Sequence, residues 1–251
     1  MGMFTLYYGL PPGYLSSFSS LQRSSVQLAE LQARNYQLGL FSSATLYRPV
    51  VLDRTAFANV PNLRIVTEPA SDPGWKRDRT LTKEWYEWLD GREQGRPFFG
   101  FLFYDSAMSG SVPPDYPHTF APTGDTRQEV KRAIYNGAVH YVDGIVGEVL
   151  DDLDRRGLAD NTVVLITADH GEEFGESAAN LEKHGSGFTR HQLVTPMIVA
   201  WPGRERGVAH DHRSSHYDVV PTLMEELFAC SNPPSDYAVG RNLFDLGPWN
   251  W

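Results

Sequence analysis

Asp169 and His170 are the residues best suited to chemistry in this chain, and together they suit a divalent metal ion. They follow V-V-L-I over 163–166, a continuous β-branched run that comes after a turn at Asp160-Asn161. Such a run reads as a short strand buried on both faces. A buried strand ending in a carboxylate and an imidazole places both at the carboxyl edge of a parallel sheet, where open α/β sheets hold ligands. Glu172 and Glu173 follow at once, between Gly171 and Gly175. Carboxylate oxygen and imidazole nitrogen, with more acid close by, suit zinc, manganese or magnesium. The competing reading makes Asp169 and His170 the cap of a helix whose solvated first turn holds Glu172 and Glu173. The buried run before the pair and the glycine after it favour the metal.

The elements that must position this pair follow an αβαβ rhythm, which predicts an α/β fold: a mostly parallel central sheet with helices on both faces. Met1 to Gly9 reads as the inside of a helix, apolar from its first turn and ended by Leu10-Pro11-Pro12-Gly13. A helix is expected over Ser19 to Arg34, capped by Ser19 or Ser20, then a strand over Tyr36 to Phe41. Leu63 to Val66 offers a short strand. Thr80 to Leu89 reads as a helix whose Trp85 and Trp88 belong to the core. P-F-F-G-F-L-F-Y over 97–104 is too apolar for a one-faced strand and belongs near the sheet centre. It runs into the small polar residues Asp105 to Ser111, a loop expected to border the same cleft as Asp169.

Asp125 to Gly157 is the longest expected helix, with an apolar stripe from Val130 to Leu153, a capping box at Thr126 and Glu129, and Gly157 as its stop. His140 and Asp143 lie on it at i, i+3; mid-helix and away from any strand end, they read as surface or packing residues. Phe174 to Leu193 is irregular and holds His184, Arg190 and His191. Val194 to Trp201 reads as a third buried strand, interrupted by Pro196, which suggests an edge or a bulge. Ser214 to Phe228 is a helix with Pro221 in its first turn. His210 and His212 read as exposed. Residues 231–251 form a Pro-rich tail ending in Trp249 and Trp251, and no second domain boundary is visible, so 1–251 reads as one domain.

Bulk properties narrow the function classes. With 251 residues, 41% of them hydrophobic and 21% charged, the chain has the make-up of a globular domain. A net charge of −9 without a Lys/Arg stripe argues against a nucleic-acid partner and against broad adhesion to anionic lipid. No apolar run approaches a membrane span. Cys230 is the sole cysteine, which excludes an internal disulfide and a thiolate cluster; beside a helix end, it reads as structural.

T-A-D-H-G-E over 167–172 resembles the signature of the sulfatase and alkaline-phosphatase superfamily. K-H-G-S-G-F-T-R-H-Q-L-V-T-P-M-I-V-A-W-P-G over 183–203, S-H-Y-D-V-V-P-T-L-M-E-E-L-F over 215–228 and N-P-P-S-D-Y-A-V-G-R-N-L-F-D over 232–245 are similar to the periplasmic domain of the YejM/PbgA inner-membrane proteins. The resemblance runs from the first residues to about Asp245. It implies Asp169 and His170 as metal ligands and His184 as a catalytic group facing the same site. It implies a place at the periplasmic face of the inner membrane, with lipid A or lipopolysaccharide and a regulatory partner in the membrane. It also implies two departures. Superfamily enzymes carry a strand with a further metal acid and a Thr, Ser or Cys nucleophile ahead of the helix that Met1 to Gly9 resembles, a segment expected to be missing here. Sulfatases often place His-x-Pro where this chain has Ser106 to Ser111. The expectation is therefore an incomplete site and little or no catalysis, with Thr5 and the serines near Ser106 as nucleophile candidates by default. The alternative is a metal-dependent phosphatase or sulfatase acting on phosphate or sulfate esters.

Overall fold

The two strands nearest the middle of the molecule pair directly, and a pair of glycines lets them do so under two indoles. In the computed structural model, which describes all residues except Glu68, His118, Thr119, Leu246 and 248–251, β1 (Gln37–Ser42) and β2 (Phe98–Phe103) run parallel with Gly39 opposite Gly100. Helix α4 (Gly74–Gly91) lies across them and stacks Trp85 on Trp88 at 5.4 Å between ring centres. A Cβ on Gly100 would sit 2.6 Å from the Trp85 ring, and one on Gly39 would sit 3.0 Å from Trp88. Both strand positions thus have a packing reason to be glycine. Trp249 and Trp251 of the tail lie outside the described residues.

Helices cover both faces of this pair, as the rhythm predicts. Along β2, Phe99, Phe101 and Phe103 pack on one cluster, and Phe98 and Leu102 pack on another. The first cluster is built by α1 (Gly2–Tyr8), α3 (Val26–Ala33) and α8 (Val219–Glu226), through Phe4, Tyr7, Leu28, Leu31, Val220 and Met224. The second is built by α4 and α6 (Arg127–Arg155), through Leu81, Trp85, Leu89 and Leu153. This alternation is the period-two signature of a strand with apolar partners on each side. The Thr126–Glu129 capping box forms at the start of α6. His140 and Asp143 of α6 are exposed, with His140 Nδ1 2.5 Å from the Tyr116 hydroxyl.

Three sequence expectations need correction. The helix over Ser19 to Arg34 is two helices, α2 (Leu15–Leu21) and α3. Gln22 turns left-handed, and Ser25, not Ser19 or Ser20, caps α3 by accepting from the Leu28 amide at 3.3 Å. Serine side chains that bond the backbone locally favour such a break over a continuous helix. Leu63 to Val66 is not a strand: Leu46 and Thr67 make isolated backbone bonds, to Ile65 and Ser42, without a ladder. Finally, β2 and β3 (Val164–Thr167) are not buried on both faces. Every residue of both strands is half-buried, because both strands line one cleft of about 2220 Å³ that is also walled by α1 and α6. Among the described residues β3 bonds only to β6 (Met197–Ala200), antiparallel. β6 is likewise not the buried strand expected: alternate residues are exposed, in keeping with the edge that the proline just before it suggested. No helix is long and apolar enough to cross a membrane among the described residues.

Candidate metal centre

A short hairpin completes the site that β3 begins. After Thr167 the chain passes Ala168, Asp169 and His170, then forms β4 (Glu173–Phe174), which pairs antiparallel with β5 (Glu182–Lys183). Glu173 is opposite Lys183, so the next step of the same register sets Glu172 against His184. Their side chains meet there, with His184 Nδ1 2.7 Å from Glu172 Oε2. The imidazoles of His170 and His184 stack at 4.0 Å between centres and 22° between planes. Asp169 Oδ1 lies 3.7 Å from His170 Nε2. Of the three residues the sequence singled out, His170 and His184 are brought together with Glu172, and Asp169 adjoins them through His170.

The hydrogen bonds assign the tautomers. His170 Nδ1 is 2.9 Å from the Gly171 carbonyl, which only accepts, so Nδ1 carries a proton, and the tautomer of the neutral ring has its lone pair on Nε2. His184 Nδ1 donates to Glu172 in the same way, which selects the neutral tautomer whose lone pair is on Nε2. A carboxylate or carbonyl behind an imidazole is the usual way to ready its far nitrogen for a metal. Neighbouring ligand atoms in a tetrahedral shell lie roughly 3.5 Å apart, given metal–ligand bonds of about 2.1 Å. The Asp169–His170 spacing of 3.7 Å fits, and ligand atoms of His170, Glu172 and His184 all fall within 4.8 Å of one another. The donor set of carboxylate oxygen and imidazole nitrogen suits zinc or manganese. Among the described residues His170, Glu172 and His184 form the group whose ligand atoms are close enough to hold an ion, and Asp169 lies beside it at His170 Nε2.

Several residues around this centre escaped sequence reasoning. His216 sits in the cap before α8, where Ser215 and Asp218 form a capping box. Its ring lies 3.5 Å from Thr5 Oγ1 and 3.4 Å from Thr167 Oγ1. Burial pushes the His216 pKa down from 6.5, against the smaller upward pull of the Ala168 carbonyl, the Asp169 charge and the Gly2 carbonyl. It is a neutral imidazole wedged between α1 and β3. Glu173 is fully buried. Burial alone would raise its pKa, but hydrogen bonds from Ser177, Thr189 and Gln192 outweigh it and bring the carboxyl down to about 2. The sequence shows Glu173 beside Asp169 and His170, and His216 within the 215–228 block, but their roles depend on partners such as Gln192, Thr5 and Thr167 that are distant in sequence.

The segment after β2 forms the one-turn helix α5 (Ser106–Ser109) where the sequence led to a loop, and it does border the cleft, through Asp105, Ala107 and Met108. Asp78 on α4 holds it by accepting from the Asp105 and Ser106 amides, each at 3.0 Å. Arg77 donates to Asp105 at 2.8 Å. The nucleophile candidates fare poorly. The Thr5 hydroxyl donates to the Gly2 carbonyl at 2.7 Å, Ser106 is fully buried, and among the described residues neither bonds to His170 or His184.

A family model described as sulfatase matches residues 2–227. The chain belongs to the sulfatase family. This sulfatase domain is 29% identical to the inner membrane protein YejM of Salmonella typhimurium over 98% of its own length and 37% of that protein's. It is 28% identical to a Haemophilus influenzae protein of unassigned function over its full length, again 37% of the relative. The domain thus spans little more than a third of these relatives. Among solved structures it is similar to the lipoteichoic acid synthase LtaP of Listeria monocytogenes, with a TM-score of 0.64, 19% identity, and coverage of 89% of this chain and 58% of that one. It is also similar to the periplasmic domain of EptC from Escherichia coli, with a TM-score of 0.60, 14% identity, and coverage of 79% and 59%. Those identities speak for the fold, which is the α/β sulfatase-like fold the sequence predicts.

Proposed function

We propose that this domain is the metal-binding, periplasm-facing part of a larger inner-membrane protein that engages lipid A or lipopolysaccharide and a regulatory partner in the membrane, with little or no ester hydrolysis of its own. The observation that carries this reading is the cluster of His170, Glu172 and His184 beside Asp169, with the Thr5 hydroxyl bonded to the Gly2 carbonyl and Ser106 fully buried. The Thr5 and Ser106 hydroxyls do not engage either imidazole. Without a nucleophile a hydrolase of this kind loses most of its rate enhancement. The membrane setting is supported by similarity to the inner membrane protein YejM over nearly the whole chain.

The residues divide the chemistry among themselves. Asp169 and His170 would hold the ion, Glu172 accepts the Nδ1 proton of His184, and His184 Nε2 would ligate or pass a proton at the same centre. When bound there, a divalent ion supplies Lewis-acid stabilisation of charge on a phosphoryl or sulfuryl oxygen. The second reading, a phosphatase or sulfatase, is favoured by the same Asp169–His170 pair.

Isothermal titration of the purified chain with zinc and manganese tests the centre: binding by the wild type, lost in Asp169→Ala and His170→Ala, is expected, and no binding by the wild type sinks it. Turnover of aryl phosphate or aryl sulfate that disappears in Asp169→Ala would decide for the hydrolase. Deleting the gene in its source organism and finding lipopolysaccharide levels unchanged would remove the regulatory reading.

A further inference from the structure

Two chain segments carry the imidazoles, and a single buried side chain from a third segment joins them. Gln192 lies on the one-turn helix α7 (Arg190–Leu193) and is 3% exposed. Its Oε1 accepts from the Ser186 amide at 3.1 Å and the Gly187 amide at 3.2 Å, two and three residues after His184. Its Nε2 donates to Glu173 Oε2 at 2.6 Å and to Ser186 Oγ at 2.9 Å. Both atoms are saturated, which fixes which end of the amide points where. The Gln192 backbone carbonyl also accepts from the Gly171 amide at 2.9 Å, directly after His170. The approach is close enough that a Cβ on Gly171 would meet the His191 carbonyl at 2.1 Å. Glu173 is fully buried and takes a further bond from Thr189 Oγ1 at 2.6 Å.

We propose that Gln192 is a positioning residue: through Glu173 on one side and the Ser186 and Gly187 amides on the other, it locks the His170 and His184 segments at the spacing one ion requires. The inference rests on the metal centre proposed above. Neither histidine segment is held to the other by a regular ladder beyond the two-residue hairpin. His184 follows Lys183, whose backbone is left-handed, and precedes Gly185, also left-handed. A segment with that local freedom needs a tertiary anchor, and Gln192 supplies two backbone bonds to it. Removing the side chain leaves two amides and a buried carboxylate short of partners and lets His184 drift from His170.

The test exploits the donor and acceptor pattern. In Gln192→Glu a carboxylate faces the Glu173 carboxylate; in Glu173→Gln an amide nitrogen is forced against a donor. The double swap, Glu173→Gln with Gln192→Glu, restores one donor facing one acceptor. Cobalt(II) binding is measured by titration and by its visible spectrum in wild type, Gln192→Ala, both single exchanges, the double swap and His184→Ala. A folded state is verified by circular dichroism. We expect Gln192→Ala and Gln192→Glu to weaken binding at least tenfold and to give the spectrum of His184→Ala, and the double swap to return within threefold of wild type. Wild-type affinity and spectrum in Gln192→Ala, or a double swap no better than Gln192→Glu, overturns the proposal. If the wild type binds no cobalt, the metal reading falls, and the clasp is judged by the proton contacts between the His170 and His184 rings in metal-free NMR. Contacts present in wild type and lost in Gln192→Ala support it; contacts equal in both refute it.

Discussion

Replacing Asp78 by alanine tests whether the cleft-side loop after β2 is held from below. Asp78 is fully buried on α4 and accepts from the Asp105 and Ser106 amides at 3.0 Å each and from the Ser43 hydroxyl. Ser43 has a second acceptor in the Phe103 carbonyl at 3.1 Å, so it is not orphaned by the change. The two amides are. Each buried unsatisfied donor costs about 1–3 kcal/mol, giving about 2–6 kcal/mol, and water entering the space left by the carboxylate favours the lower half of that range. We take about 3 kcal/mol, which corresponds to a loss of about 6–12 °C in Tm for a chain of this size. Asp78→Asn keeps an acceptor for one amide and sets its own NH2 against the other, so it should cost roughly half as much. Urea unfolding gives the midpoints, and hydrogen exchange reads the Asp105 and Ser106 amides directly. A loss below about 1 kcal/mol with both amides still protected would refute the reasoning.

Gly100→Ala places a methyl 2.6 Å from the buried Trp85 ring, which is itself stacked on Trp88, so a loss of about 1–3 kcal/mol in urea unfolding is expected. Gly39→Ala, at 3.0 Å from the half-buried Trp88, should cost far less, because alanine in a strand recovers about 0.5–1 kcal/mol over glycine. Equal losses in the two variants would contradict the packing account. The pH dependence of unfolding should reveal Glu173. Its folded-state pKa of about 2 lies below the ordinary 4.5, so its stabilisation is complete above 4.5 and disappears as pH falls toward 2. The urea midpoint of wild type should therefore converge on that of Glu173→Gln across this window, and parallel curves would contradict the assignment.

Local sequence determined the parts of this protein whose cause is local. The apolar runs at 98–103 and 164–167 became strands because their residues favour extended, packed backbone. The Thr126–Glu129 box starts α6 because its bonds span only three residues. The string ending in Asp169 and His170 marked the candidate site, since its chemistry is written in adjacent residues. Where two local signals competed, as at Ser24-Ser25 inside an otherwise helical stretch, the pattern of apolar residues alone misjudged the outcome.

Tertiary structure decided everything that depends on register and on partners far along the chain. Only the β4–β5 hairpin sets Glu172 against His184, twelve residues away, and so fixes the proton on Nδ1. Only the docking of α7 onto Gly171 brings Gln192 between the two histidine segments. Strand direction was likewise undecided: a β-branched run reads the same whether its neighbour is the parallel β1–β2 kind or the antiparallel β3–β6 kind. Side-chain types specify which groups are available, whereas distances of a few ångströms between segments, set by packing of the whole core, specify which of them meet.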